Sequence, residues 1–308
     1  MVNLLLFPGQ GAQKIGMGKD LADAFPAARD TFAAIDEALG APLSRVMWEG
    51  PEEVLQQTHN TQPAILAHSA AVLSLVRDRL EPVAGAAGHS LGEYSAYVAA
   101  GALSAVEGAR LVRRRGELMH QAGTVRQGAM AAVLGLATGE VEQACEAASS
   151  AAEVVVAANL NAPDQTVLSG DPGAVARAGE ACKAAGARRV LPLKVSGAFH
   201  SPLMAPAAEG LAQALSAADF REPAFPVVSN AAAQPVRSAG EARRLLGAQL
   251  TAPVRWVECV EVLASLGPGA RFVEIGPGTV LGGLLKRILP EAGYCSLATA
   301  SDVERFLL

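Results

Sequence analysis

The chain has 308 residues, 51% of them hydrophobic and 18% charged, which allows a large core and excludes a disordered chain. A formal charge of -5 gives the surface as a whole no attraction for nucleic acid, and no apolar run is long enough for a bilayer span or a secretory core, so a cytoplasmic protein is expected. The cysteines at 145, 182, 259 and 295 form no CxxC, so neither a disulfide framework nor a zinc site follows from them and they read as ordinary buried thiols.

In chain order, Val2 to Phe7 reads as a first strand, followed by the glycine-rich loop Pro8-Gly9-Gln10-Gly11-Ala12-Gln13. Apolar spacing predicts a helix over residues 62–80 and a short strand over 83–87. That strand runs into Gly88-His89-Ser90-Leu91-Gly92, and a helix-compatible run follows from Glu93 to Ala100. Strand, Gly-x-Ser-x-Gly and helix in this order make a sharp elbow that presents a serine hydroxyl. Ser104 and Glu107 form a capping box for the next helix. Its apolar face carries Leu111, Val112, Leu118, Met119 and Ala122, and Arg115 lies three or four residues from each of the first four. A guanidinium in that stripe is costly unless an anion meets it.

From residue 127 to 194 the pattern changes. Residues 129–134, 154–159, 166–169 and 189–195 read as strands, with helices after the first and third; the second helix opens with Asp171 as cap and Pro172 at its first position. The order βαββαβ is that of a ferredoxin-like lobe. Residues 225–229 and 271–275 then read as further strands of the main sheet, and Gly276-Pro277-Gly278 turns the last into a closing helix with Lys286 and Arg287. The expected fold is α/β, with a large subdomain from residues 1–126 and 195–308 and a small one, 127–194, inserted in it.

The serine match is weak alone in a chain with 31 glycines; its strand and helix context raises it. The hydroxyl needs a base. His59, His68 and His120 lie in or near helices without a supporting pattern and read as surface or satisfied side chains. His89 adjoins the serine but leaves the elbow in another direction. His200 remains, in Ser196-Gly197-Ala198-Phe199-His200-Ser201-Pro202, on a loop just after the last lobe strand. No acidic residue follows closely, so a dyad oriented by a backbone carbonyl is expected. The Gln10 loop fails as a phosphate cradle, because Lys14 stands where a dinucleotide fingerprint needs its third glycine and no Gly-Lys-Ser/Thr follows Gly16. It can instead lend an N–H to an oxyanion hole. Arg115 keeps two readings, a structural pair with an acid or a clamp for a substrate carboxylate. Arg113 and Arg114 point off the stripe, into solvent.

Phe7 to Gln13, Gly88 to Ser95, Arg115-Gly116, Phe199 to Met204 and Glu274 to Gly278 resemble, in order, the motifs of malonyl-CoA:acyl carrier protein transacylases, over nearly the whole chain. That family includes the fatty-acid synthesis enzyme and polyketide synthase acyltransferases. The resemblance implies an α/β-hydrolase-like body with a ferredoxin-like insertion. It makes Ser90 the nucleophile, His200 its base, and the N–H groups of Gln10 and Leu91 the oxyanion hole. Arg115 corresponds to the residue that pairs with the malonyl carboxylate and Gln249 to the one whose carbonyl orients the histidine; Met119 and Phe199 complete the substrate-binding set. Ala252 stands where many relatives have asparagine. The bulk of Phe199 would crowd an α-methyl group, a bias toward malonyl of about 1 to 3 kcal/mol.

The implied reaction is ping-pong transfer from malonyl-CoA to acyl carrier protein, with no metal or redox cofactor. An acidic carrier would dock on Lys183, Arg188, Arg189, Lys286 and Arg287. A free-standing cytoplasmic monomer is expected, with no nucleic-acid or membrane partner. Two other classes compete. A serine esterase uses the same elbow but has no need of Arg115, and a noncatalytic carrier-docking protein tolerates loss of Ser90 or His200.

Overall fold

The computed structural model describes residues 2–195 and 197–308; Met1 and Ser196, where two of the segments read above begin or lie, are outside the described residues. The strands are β1 (Asn3–Phe7), β2 (Val83–Gly88), β3 (Ala129–Leu134), β4 (Val155–Ala162), β5 (Gln165–Gly170), β6 (Arg189–Pro192), β7 (Val227–Val228), β8 (Pro235–Val236), β9 (Arg271–Ile275) and β10 (Tyr294–Leu297). They form a six-stranded sheet in the order β10-β9-β1-β2-β7-β8 and a four-stranded one in the order β4-β5-β3-β6. In the large sheet only β8 runs antiparallel to its neighbour. The small sheet is antiparallel throughout, and with the Thr138–Ala148 and Pro172–Ala184 helices it makes the ferredoxin-like lobe.

β1 shows why the large sheet lies inside. Leu4 and Leu6 pack with Trp256, Val260 and Leu285 on one face, and Leu5 and Phe7 with Leu66, Leu73 and Tyr97 on the other. A run of apolar residues without alternation is what a strand covered by helices on both faces requires.

Several boundaries differ from expectation for identifiable reasons. The strand expected over 225–229 is only Val227–Val228, because Pro226 has no N–H to extend the ladder and Ser229 begins the turn into β8, bonding to Gln234 O at 3.0 Å. β6 also ends early, at Pro192, although the Leu193 N–H still donates to Met130 O at 2.9 Å. Asp171 does stand at a helix N-cap, but its carboxylate takes Arg126 at 2.8 and 2.9 Å and the Val154 N–H at 2.8 Å instead of capping. Val280–Ile288 is not the closing helix: β10 and the Ala300–Leu307 helix follow it, the latter opened by a Thr299–Asp302 capping box. Among the described residues no helix is long and apolar enough to cross a membrane.

Candidate active site

β1 and β2 are parallel neighbours, so the Gln10 loop and the serine elbow leave the same edge of the sheet side by side. Ser90 sits at the elbow with φ 52°, between β2 and the Gly92–Ala99 helix. Two glycines make that turn possible. A Cβ on Gly88 would lie 1.9 Å from the Gly92 carbonyl group, and one on Gly92 would lie 2.2 Å from Phe7 O. His200 is likewise in the left-handed region, φ 56°. Its loop is pinned by Ser169 Oγ donating to Phe199 O at 2.6 Å and Ser201 Oγ donating to Ala198 O at 2.7 Å.

Ser90 Oγ and His200 Nε2 are 2.7 Å apart, and His200 Nδ1 lies 3.0 Å from Gln249 O. A carbonyl can only accept, so Nδ1 carries the proton and Nε2 presents its lone pair to the serine O–H. Burial first, and then the Arg115 charge, lower the His200 pKa to about 3. The imidazole is therefore neutral and ready to accept a proton. Among the described residues neither the Gln10 nor the Leu91 N–H has a protein acceptor, and Leu91 precedes the Gly92–Ala99 helix, where backbone donors and the helix dipole favour negative charge.

Arg115 is 1% exposed. Its Nη1 donates to Gln62 Oε1 at 2.7 Å, and its Nη2 donates to Gln249 Oε1 at 2.9 Å and to Ser90 Oγ at 3.1 Å. Nε has no partner, and no carboxylate among the described residues lies within ion-pair distance of the guanidinium. A structural pair with an acid, one of the two readings left open by the sequence, is thus absent. Arg113 corrects the sequence reading: it is not a solvated charge but donates to Asn60 Oδ1.

A cleft of about 250 Å³ is lined by Gln10, His89, Ser90 and His200 on the large-sheet side and by Met130, Asn161, Gln165 and Val167 on the lobe. Larger depressions surround Arg271, with no nucleophile and base pair in them. Met119 and Phe199 are not cleft walls. Both are buried in the main core behind the serine, Met119 with Sδ 3.4 Å from Gln62 Nε2. His89 turns away from the serine and bonds Asn161 at 2.7 Å. Of the expected basic residues, Lys183 pairs with Glu180 at 2.7 Å and Arg287 with Asp164; Arg188, Arg189 and Lys286 make no ion pair among the described residues.

The structure adds residues that sequence reasoning passed over. Gln10, Thr58 and Gln62 form a side-chain chain with two links of 3.0 Å, and Arg115 joins it at Gln62 at 2.7 Å. Asn230 Oδ1 takes the Ser90 N–H at 2.7 Å. Asn230 stands just beyond β7, at the same sheet edge as the elbow, and that placement was the signal available for it.

The acyl transferase domain model matches residues 4–304. The malonyl CoA-acyl carrier protein transacylase of Bacillus subtilis (strain 168) is 45% identical over 283 residues, 92% of this chain and 89% of that protein. Its Escherichia coli (strain K12) counterpart is 44% identical over 285 residues, 92% of each. The chain belongs to the malonyl CoA-acyl carrier protein transacylase family. It is an acyltransferase by that membership. Among solved structures, a malonyl-transacylase in complex with its type II PKS acyl-carrier protein superposes with a TM-score of 0.94 at 42% identity, covering 100% of this chain and 99% of that one. An acyl carrier protein S-malonyltransferase from Vibrio cholerae gives 0.93 at 42%, covering 98% and 99%.

Proposed function

We propose that the chain transfers a malonyl group from malonyl-CoA to the phosphopantetheine thiol of acyl carrier protein, through a malonyl ester on Ser90, for fatty-acid or polyketide synthesis. The observation that carries the choice of acyl group is the acid-free Arg115 guanidinium, 3.1 Å from the Ser90 hydroxyl. A three-carbon diacid esterified at Oγ folds its free carboxylate back onto that guanidinium, forming a charge-assisted pair where only neutral amides stood. The names of the relatives point the same way.

In the first half-reaction His200 Nε2 takes the Ser90 proton as Oγ attacks the thioester carbonyl, and the Gln10 and Leu91 N–H groups receive the oxyanion. The C–S bond breaks and His200 returns the proton to the departing thiolate. In the second half the carrier thiol gives its proton to His200 and attacks the ester, and Oγ leaves with the proton. Gln249 O holds the imidazole in register throughout. No step requires a metal or a redox cofactor. Met119, against Gln62, and Phe199, next to His200 in the chain, act on the acyl group through those residues and not as walls of the cleft. The proposal includes a monomer in the cytoplasm, testable by sedimentation and cell fractionation.

Because His200 is held near pKa 3 in the empty site, it stays a neutral base well below the ordinary 6.5. Acetyl-CoA brings no charge to Arg115, so its kcat/KM for acylation is expected to stay flat from pH 7 to pH 5; a base titrating at 6.5 would lose roughly 30-fold over the same drop. Burial raises the Glu93 carboxyl to about 7, inside the same window, so a limb centred near 6.5 that persists in Glu93→Gln would exclude the depressed histidine.

Transfer of label from malonyl-CoA to holo carrier protein tests the whole reading. It is expected to depend on the phosphopantetheine arm, to slow as salt rises and to slow on charge reversal of Arg188, Arg189 and Lys286. Label released to water as readily as to carrier would favour an esterase. Transfer indifferent to both salt and charge reversal would remove the basic face from the docking surface.

A further inference from the structure

Glu93 is fully buried, and among the described residues no cation is paired with it. Its Oε2 accepts the Asn230 N–H at 2.9 Å and Gln249 Nε2 at 2.7 Å, while Oε1 has no partner. The dyad does not touch it, and the proposed mechanism assigns it no step. Such a group is costly to keep in the interior, so its two bonds are its function.

The bond to Gln249 matters because that residue holds two parts of the site at once. Its backbone oxygen meets His200 Nδ1, and its side-chain Oε1 accepts from Arg115 Nη2 at 2.9 Å. The amide nitrogen on the other side faces acceptors only: Glu93 Oε2, Ser90 O at 3.0 Å and Asn230 Oδ1 at 3.4 Å. An amide turned over would set its NH₂ against the guanidinium donors and its oxygen against the carboxylate. Glu93 provides the shortest of these bonds, at an oxygen that accepts from no other side chain.

We propose that Glu93 is a positioning residue: it keeps the oxygen of the Gln249 amide, and not its nitrogen, turned to Arg115, and so sets the preference for acyl groups that end in a carboxylate. The inference rests on Arg115 being the carboxylate clamp. It assigns Glu93 the role of acceptor, not of charge. A glutamine at 93 retains a carbonyl oxygen for the same two N–H groups, whereas a methionine of similar length retains none.

The test is the ratio of malonyl-CoA to acetyl-CoA self-acylation rates, measured with thermal stability for Glu93→Met, Glu93→Gln, Gln249→Leu and Arg115→Ala. The ratio is expected to fall roughly tenfold in Glu93→Met, about the net worth of one hydrogen bond, with acetyl acylation nearly unchanged. Glu93→Gln should keep the ratio, and Gln249→Leu should lower it with no further loss when combined with Glu93→Met. A merely structural role would lower both rates together and leave the ratio alone, and that result overturns the proposal. Should Glu93→Met not fold, an unchanged ratio in Gln249→Leu overturns it equally. If Arg115→Ala collapses the ratio while the other variants keep it, the clamp stands and the Glu93 role falls; if Arg115→Ala also keeps it, both fall.

Discussion

Replacing Ser90 with alanine is expected to abolish the malonyl adduct that the native enzyme forms with malonyl-CoA alone. The substitution removes only the hydroxyl. Alanine has the same Cβ at the φ 52° elbow, and the Ser90 N–H that bonds Asn230 is backbone and stays. Arg115 keeps its bonds to Gln62 and Gln249, so a folded protein that still binds thioester should result. Nucleophile and base act as one unit, and losing either removes about as much as losing both, on the order of 10⁴-fold or more in rate. Intact-mass spectrometry decides the matter: an adduct on the Ser90→Ala protein would remove this serine from the reaction.

Arg115→Ala should change which acyl group is accepted more than it lowers turnover in general. Loss of one member of a buried charge pair costs about 2 to 5 kcal/mol, or roughly 30- to several thousand-fold in malonyl acylation. For acetyl-CoA the guanidinium in the complex faces no carboxylate, so its removal should leave acetyl acylation steady or raise it. The fold should survive, because the side chains left behind are the amide oxygens of Gln62 and Gln249 and not an orphaned acid. A destabilised protein with an unchanged malonyl-to-acetyl ratio would exclude Arg115 as the clamp.

The parts of this site that could be read from the chain are those imposed by local geometry. Gly88 is fixed by backbone contacts within a few residues, Gly92 stands in the same elbow motif although the contact that requires it comes from Phe7 on β1, and Arg115 is picked out by helix phase alone. What escaped was carried by side chains far apart in sequence. The Thr58–Leu80 helix begins a turn earlier than its apolar spacing predicts, because its first turn is the polar run Thr58-His59-Asn60-Thr61, and Pro63 lies inside it. That hidden turn carries Thr58 and leads to Gln62, half of the chain from Gln10 to Arg115. Glu93 read only as the start of a helix-compatible run; its partners Asn230 and Gln249 come 137 and 156 residues later. The depressed basicity of His200 follows from burial, which no local pattern reports.

The inserted lobe has a consequence for how such enzymes can be rebuilt. The nucleophile and Arg115 precede it in the chain, and the base comes at its exit. Ser169, on lobe strand β5, grips the backbone at Phe199, while Gln249 grips the His200 ring from the other body. The 2.7 Å contact between serine and histidine is therefore held from two sides, the histidine loop by the lobe and the ring by the large subdomain. A lobe grafted from a relative has to bring its own strand-β5 hydroxyl and histidine loop as one unit, since a graft cut between them would leave the base without its mount.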